Sequence, residues 1–168
     1  MHPSTLINLK DQSGMMLLEA LIAILIFSLG ILGMVAINAR AVEAATDSQA
    51  RADAAKFTSE IASRIALAVD RSSKTNLDAS LKTFQHQPGG GTCVFTGTES
   101  DTDVVKEWKS TVLASGKTGL PGATASGLRI LVVTPNDIPP AFNRVSITIC
   151  WQQPGVGMRQ HELISYVN

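Results

Sequence analysis

Neither sign of charge is in excess: 14 Lys and Arg stand against 14 Asp and Glu, and the isoelectric point is about 6.8. Phosphate binding normally shows as a basic surplus or a clustered Lys/Arg face, so the balance argues against nucleic acid as a partner. Cysteine is scarce. Two in 168 residues, with no C-x-x-C pair, exclude a disulfide-dense scaffold, a zinc ribbon and a thioredoxin-type redox motif. His2, His86 and His161 are scattered, so no cluster has metal-ligand spacing, and no cofactor is indicated. G-x-S-x-G, the P-loop and a helix-opening G-x-G-x-x-G are missing, and Gly89-Gly90-Gly91 lacks the Lys and Ser/Thr of a phosphate cradle. No catalytic residue emerges, and the chain reads as a non-enzyme. Charged residues are only 17%, against about 25% in ordinary soluble domains, while 45% are hydrophobic. Apolar residues must therefore be concentrated in one place.

That place is Met15 to Ile37, MMLLEALIAILIFSLGILGMVAI, 23 residues with a single ionisable side chain, Glu19. As a helix rising about 1.5 Å per residue it reaches roughly 34 Å, enough for a hydrocarbon layer of about 30 Å. A buried core helix is the soluble alternative, but a domain this small rarely hides a helix that is apolar on every face. A removable secretory signal is the nearer competitor, since Ala39-Arg40-Ala41 has a small-x-small pattern. Such signals have an apolar region of about 7–15 residues behind a basic stretch, whereas this run is longer and is preceded by Lys10 beside Asp11. Lys10 and the Met1 amine precede the span and Arg40 follows it, a slight bias toward a cytoplasmic N-terminus.

Glu19 raises the energy of such a span by up to about 3 kcal/mol at its centre, less toward the ends. It either snorkels to the interface or finds a partner. A cut after Gly14 would supply one: the new amine on Met15 lies one helical turn from Glu19 and is largely cationic at an unperturbed pKa of about 7.7–8.0.

On these residues the segment resembles the class III signal of type IV prepilins: Gly14, four apolar residues, Glu19, then ALIAILIFSLGILG. The resemblance implies that a prepilin peptidase cuts between Gly14 and Met15 on the cytoplasmic side and that Met15 is then N-methylated. It further implies that the apolar helix anchors the chain in lipid and later joins a filament core, with Glu19 serving subunit assembly. Phenylalanine is usual in the family where Met15 stands, and basic residues often lie nearer the glycine than Lys10. Leu25 to Gly33, LIFSLGILG, is similar to the minor pilins of the type IV pilus modification protein PilV family, and to type II secretion pseudopilins. Gly30 and Gly33 are not a G-x-x-x-G pair; either the membrane helix simply tolerates them, or they mark a place to unwind or pack closely.

Asn38 to Asp70 has no Gly or Pro, so the helix is expected to continue, with Phe57, Ile61, Ile65 and Ala68 forming a core-facing stripe opposite Arg51, Asp53, Lys56, Glu60 and Arg64. Arg71 to Lys74 and Gln87 to Gly91 read as connections. Asp101 to Leu113 reads as a short helix capped by Asp101 or Asp103, with Val104, Val105, Trp108 and Val112 on one side. Ser115 to Gly122 is turn-rich, and Leu128 to Thr134, Arg144 to Trp151 and His161 to Val167 read as strands, the last two a hairpin. Val145, Ile147, Ile149 and Trp151 alternate with Ser146, Thr148 and Cys150, which predicts a strand buried on one face. Trp108 and Trp151 read as core or interface aromatics rather than a sugar-binding pair.

The fold expected is α+β, a pilin fold: a long N-terminal helix packed on a C-terminal antiparallel β-sheet. Its parts are a leader at 1–14, a membrane and filament-core helix at 15–37, an amphipathic continuation at 38–70 and a globular domain at 71–168. The resemblance implies a minor pilin in the inner membrane with a periplasmic C-terminal domain, moving to the extracellular pilus on assembly. Prepilin peptidase, other minor pilins, the major pilin, the inner-membrane assembly machinery and membrane lipid are its implied partners. A type II secretion minor pseudopilin is the near alternative, and a single-pass envelope protein with a ligand-binding outer domain the distant one. In the pilin topology Cys93 and Cys150 both face an oxidising compartment, which predicts a disulfide between them, against two separate buried thiols.

Overall fold

A sequence free of Gly and Pro from Met34 to Gln87 gives no signal to end a helix, and one 56-residue helix, α1, runs over Ser13–Ala68. The computed structural model describes residues 13–115, 118–135, 142–153, 155 and 157–168. The chain divides into two compact units, Met1–Ala45 and Thr46–Asn168.

In the first unit every residue with a described side chain, from Gly14 to Ala45, is helical and exposed. Within its apolar stretch the Ser28 hydroxyl donates to the Ile24 carbonyl one turn back at 2.7 Å, so that polar group needs no water.

In the second unit the α1 stripe is buried as Ala50, Ala54, Phe57, Ile61 and Ile65, followed by Val69 just past the helix end. Ala68, expected in the stripe, is exposed, and Val69 closes it. The helix ends because Asp70 turns the chain: its Oδ1 accepts the Ser72 N–H at 2.8 Å, and its own N–H goes to Ser80 Oγ at 3.1 Å. A ten-residue helix, α2 (Lys74–Thr83), follows, unforeseen because only Leu77 and Leu81 mark its apolar face. Ser73 is its N-cap, with Oγ accepting the Asn76 N–H at 3.1 Å.

The segment read as a Gly-rich connection is partly sheet: β1 (Gly89–Gly91) and β2 (Val94–Thr96) form a hairpin closed by Thr92 and Cys93. Gly90 must be glycine, since at φ 92° an added Cβ would lie 2.3 Å from the Val94 carbonyl oxygen. The helix α3 (Asp103–Val112) turns Val105, Trp108 and Val112 inward. Neither Asp101 nor Asp103 caps it; Thr102 occupies the N-cap, and Asp103 opens the first turn, where its charge suits the helix dipole.

Strands β3 (Ala123–Val133), β4 (Asn143–Gln153) and β5 (Gly157–Val167) form an antiparallel sheet in the order β3-β4-β5. Each begins earlier than the sequence reading placed it. Register holds from Asn143↔Val167 to Gln153↔Gly157 on one side of β4, and from Val133↔Arg144 to Leu128↔Ile149 on the other. One face packs Leu128, Ile130, Val132, Val145, Ile147, Ile149 and Trp151 into the same core as α1, α2 and α3. The Trp108 indole N–H donates to the Phe57 carbonyl at 3.0 Å, fastening α3 to α1. The architecture is therefore the expected α+β arrangement of a long N-terminal helix and an antiparallel sheet.

Strand β4 departs from the one-faced pattern, because Ser146, Thr148 and Cys150 are buried as well. The β1–β2 hairpin covers them in part: Cys93, Phe95 and Cys150 form a second small cluster. A strand between two neighbours and under two layers has no solvent face for its Ser and Thr residues to mark.

Candidate processing segment and disulfide corner

Gly14, Met15 and Glu19 all lie in the first two turns of α1. The Gly14–Met15 bond lies in the first described turn of α1. Among the described residues, nothing beyond the neighbouring helix backbone lies within 4 Å of a Cβ placed at Gly14, and Met15 is 73% exposed. Residues four apart in a helix are neighbours on one face, which places the Met15 backbone nitrogen and the Glu19 side chain one turn apart. Of the expected leader, only Ser13 and Gly14 fall among the described residues.

The run that follows makes one candidate membrane span, with a mean hydropathy of 2.8 in its most apolar window and none of that window buried. Length, apolarity and full exposure are together what a lipid-embedded helix needs and what a soluble core helix lacks. The helix passes through Gly30 and Gly33 without interruption, and a Cβ at either would meet nothing within 4 Å.

The other expected pair, Cys93 and Cys150, is joined by a disulfide, with Cα atoms 5.5 Å apart at positions 57 apart in sequence. The bond ties the hairpin turn to the middle of the sheet. Beside it the Arg129 guanidinium lies over the Phe95 ring, 4.5 Å from its centroid, and donates to Thr148 Oγ1 at 3.3 Å. Arg129 was not singled out in sequence, because its partners Phe95 and Thr148 are 34 and 19 positions away.

Two more features steady this unit. Asp47 on α1 accepts from Arg51 at 2.9 Å and from Arg159 on β5 at 3.3 Å, and those bonds hold its carboxyl below the usual carboxylate range. His86 is 1% exposed; its backbone bridges Ile130 of β3, and its Nδ1 accepts the Ser100 N–H at 3.3 Å. Burial holds this imidazole below its ordinary value of 6.5, so it is neutral, as an accepting Nδ1 requires. Both tryptophans are buried. Among the described residues no three His, Cys, Asp or Glu side chains gather to hold a metal ion. No protein-family model, curated protein or solved structure matches the chain.

Proposed function

We propose that the chain is a prepilin, a minor subunit of a type IV pilus or of the related type II secretion pseudopilus, that helps to start or modify the filament. The observation that carries the reading is the head of α1: Gly14 in its first described turn, Glu19 one turn beyond Met15, and a fully exposed apolar run behind them. In this reading a prepilin peptidase removes residues through Gly14 on the cytoplasmic side of the inner membrane, and Met15 is N-methylated. The span holds the subunit in lipid until assembly. Packing among apolar stems then replaces lipid contacts, and Glu19 pairs with a Met15 amine, a charge pair that a low-dielectric core strengthens. The outer unit, closed by the Cys93–Cys150 bond, presents the surface that other pilins and the assembly machinery meet.

N-terminal mass spectrometry of the mature protein tests the proposal. The expected species begins with methylated Met15, and Gly14→Val leaves full-length protein in the membrane because a branched side chain blocks the scissile bond. A mature chain beginning near Val42 would mean a secretory signal, and an uncut chain a plain single-pass anchor.

A further inference from the structure

The two edges of the three-stranded sheet differ. Strand β3 is bridged by His86 at Ile130 and lies beside β2, whereas β5 pairs with β4 and with no other strand among the described residues. Every second residue of β5 therefore directs its backbone N–H and C=O away from the sheet. The usual devices that blunt such an edge are missing. The 11 residues of β5 include no proline and no lysine, their register with β4 is unbroken from Gly157 to Val167, and their one strong cation, Arg159, is held by Asp47 of α1.

The solvent-facing row of this strand is Met158, Gln160, Glu162, Ile164 and Tyr166, all exposed. It carries three of the six large exposed apolar side chains described in Thr46–Asn168, so the edge offers apolar contacts as well as backbone donors and acceptors. From Met158 to Ile164 the row reads apolar, polar, polar, apolar, the same in both directions. A row of that kind complements itself when a second copy runs antiparallel to it.

Side chains then choose the register. A two-fold axis on Glu162 sets carboxylate against carboxylate, an axis on Gln160 sets Met158 against Glu162, and an axis on Leu163 sets Glu162 against Ile164. An axis on His161 sets Met158 opposite Ile164 and Gln160 opposite Glu162, where the amide N–H donates to the carboxylate. We propose that β5 pairs with β5 of a second copy of this chain, antiparallel and with the axis at His161, joining two three-stranded sheets into one. All of these residues lie in Thr46–Asn168, so the inference stands apart from how the N-terminus is processed.

Spin labelling of the full-length protein in detergent micelles decides it. One nitroxide is placed on Met158→Cys, Gln160→Cys, Glu162→Cys or Ile164→Cys in turn, with Cys93 and Cys150 left bonded and unlabelled. At about 3.3 Å per residue and about 4.8 Å between strands, positions 160 and 162 each lie about 8 Å from their own copy, and positions 158 and 164 about 20 Å. The EPR spectra should therefore show strong dipolar broadening, equal at 160 and 162 and weak at 158 and 164, that disappears when unlabelled protein is mixed in. In sedimentation equilibrium, Gln160→Lys, set opposite Glu162, should raise the association constant at least fivefold and Gln160→Glu should lower it at least fivefold, both effects shrinking with added salt. A monomeric chain, which would leave the edge to a strand of another protein, overturns the proposal. So does a dimer without broadening in β5, broadening unequal at 160 and 162, or two Gln160 variants that shift association the same way.

Discussion

Replacing Cys93 and Cys150 together by alanine removes the cross-link without leaving a reactive thiol, and the cost follows from the topology. The bond closes a loop between positions 57 apart in sequence, and the chain-entropy relation for that length gives about 4 kcal/mol at 25 °C. Cys93 adds a second, separable term. It sits at φ 59°, a left-handed backbone that a Cβ disfavours by about 1 kcal/mol and that glycine adopts freely. Cys93→Gly with Cys150→Ala should therefore be more stable than the double alanine variant by about 1 kcal/mol, although both lack the bond. Urea unfolding followed by tryptophan fluorescence reads the right unit, because both tryptophans, Trp108 and Trp151, are buried there. With a slope of about 2 kcal/mol per molar urea, the double alanine variant should unfold at a midpoint about 2 M lower than the parent. A loss below about 1 kcal/mol would refute the reasoning, because the hairpin would then be held by its packing and not by the cross-link.

Other expectations test separate parts of the molecule. Gly122→Ala should destabilise the outer unit by about 2 kcal/mol or more, read by the same urea titration, since φ is 79° and the new Cβ would stand 1.8 Å from the Gln152 carbonyl oxygen. His86, held below its ordinary 6.5 by burial, binds fewer protons folded than unfolded, so its contribution is complete above about pH 6.5 and is lost as pH falls through the folded value. Titrated from pH 7.5 to 5.5, the parent should therefore lose stability with a slope that His86→Gln abolishes; the carboxylates held low by their partners act only at more acid pH. Glu19→Ala should insert into membrane as well as the parent but be missing from sheared filaments, and its normal recovery there by immunoblot would remove the pairing argument.

What sequence alone revealed of the fold divides by the length of the contacts involved. Phe57, Ile61 and Ile65 announce their helix because a 3.6-residue period repeats within one element. Helix α2 escaped notice because Leu77 and Leu81, its main apolar marks, give only one helical repeat in ten residues, and the Arg-Ser-Ser-Lys at its start reads equally well as a loop. The reading of β4 shows the opposite failure, a clear pattern with the wrong meaning. Val145-Ser146-Ile147-Thr148-Ile149-Cys150 alternates as a half-buried strand should, but Ser146 and Thr148 are buried too, and the hairpin that helps to cover that face is the short Gly89–Thr96 segment, GGGTCVFT, with Phe95 its one large buried side chain. Nothing local to β4 carries that information, because what puts a lid over it is a bond to Cys93, 57 positions earlier.

The same division separates the processing segment from the disulfide corner, and it follows from what each requires. A membrane and a peptidase act on a continuous stretch of chain, so the determinants must lie side by side in sequence, and Gly14, Met15, Glu19 and the apolar run after them are contiguous whatever the rest of the protein does. The disulfide corner has no such constraint. Cys93 comes from the β1–β2 turn, Phe95 from β2, Arg129 from β3 and Thr148 and Cys150 from β4, and they meet only because the hairpin lies over that face of the sheet. Taken singly, Arg129 is an ordinary strand cation and Phe95 one apolar residue of a three-residue strand. It is the guanidinium of Arg129 over the Phe95 ring, beside the Cys93–Cys150 bond, that closes the corner, and that conjunction exists only in the folded chain.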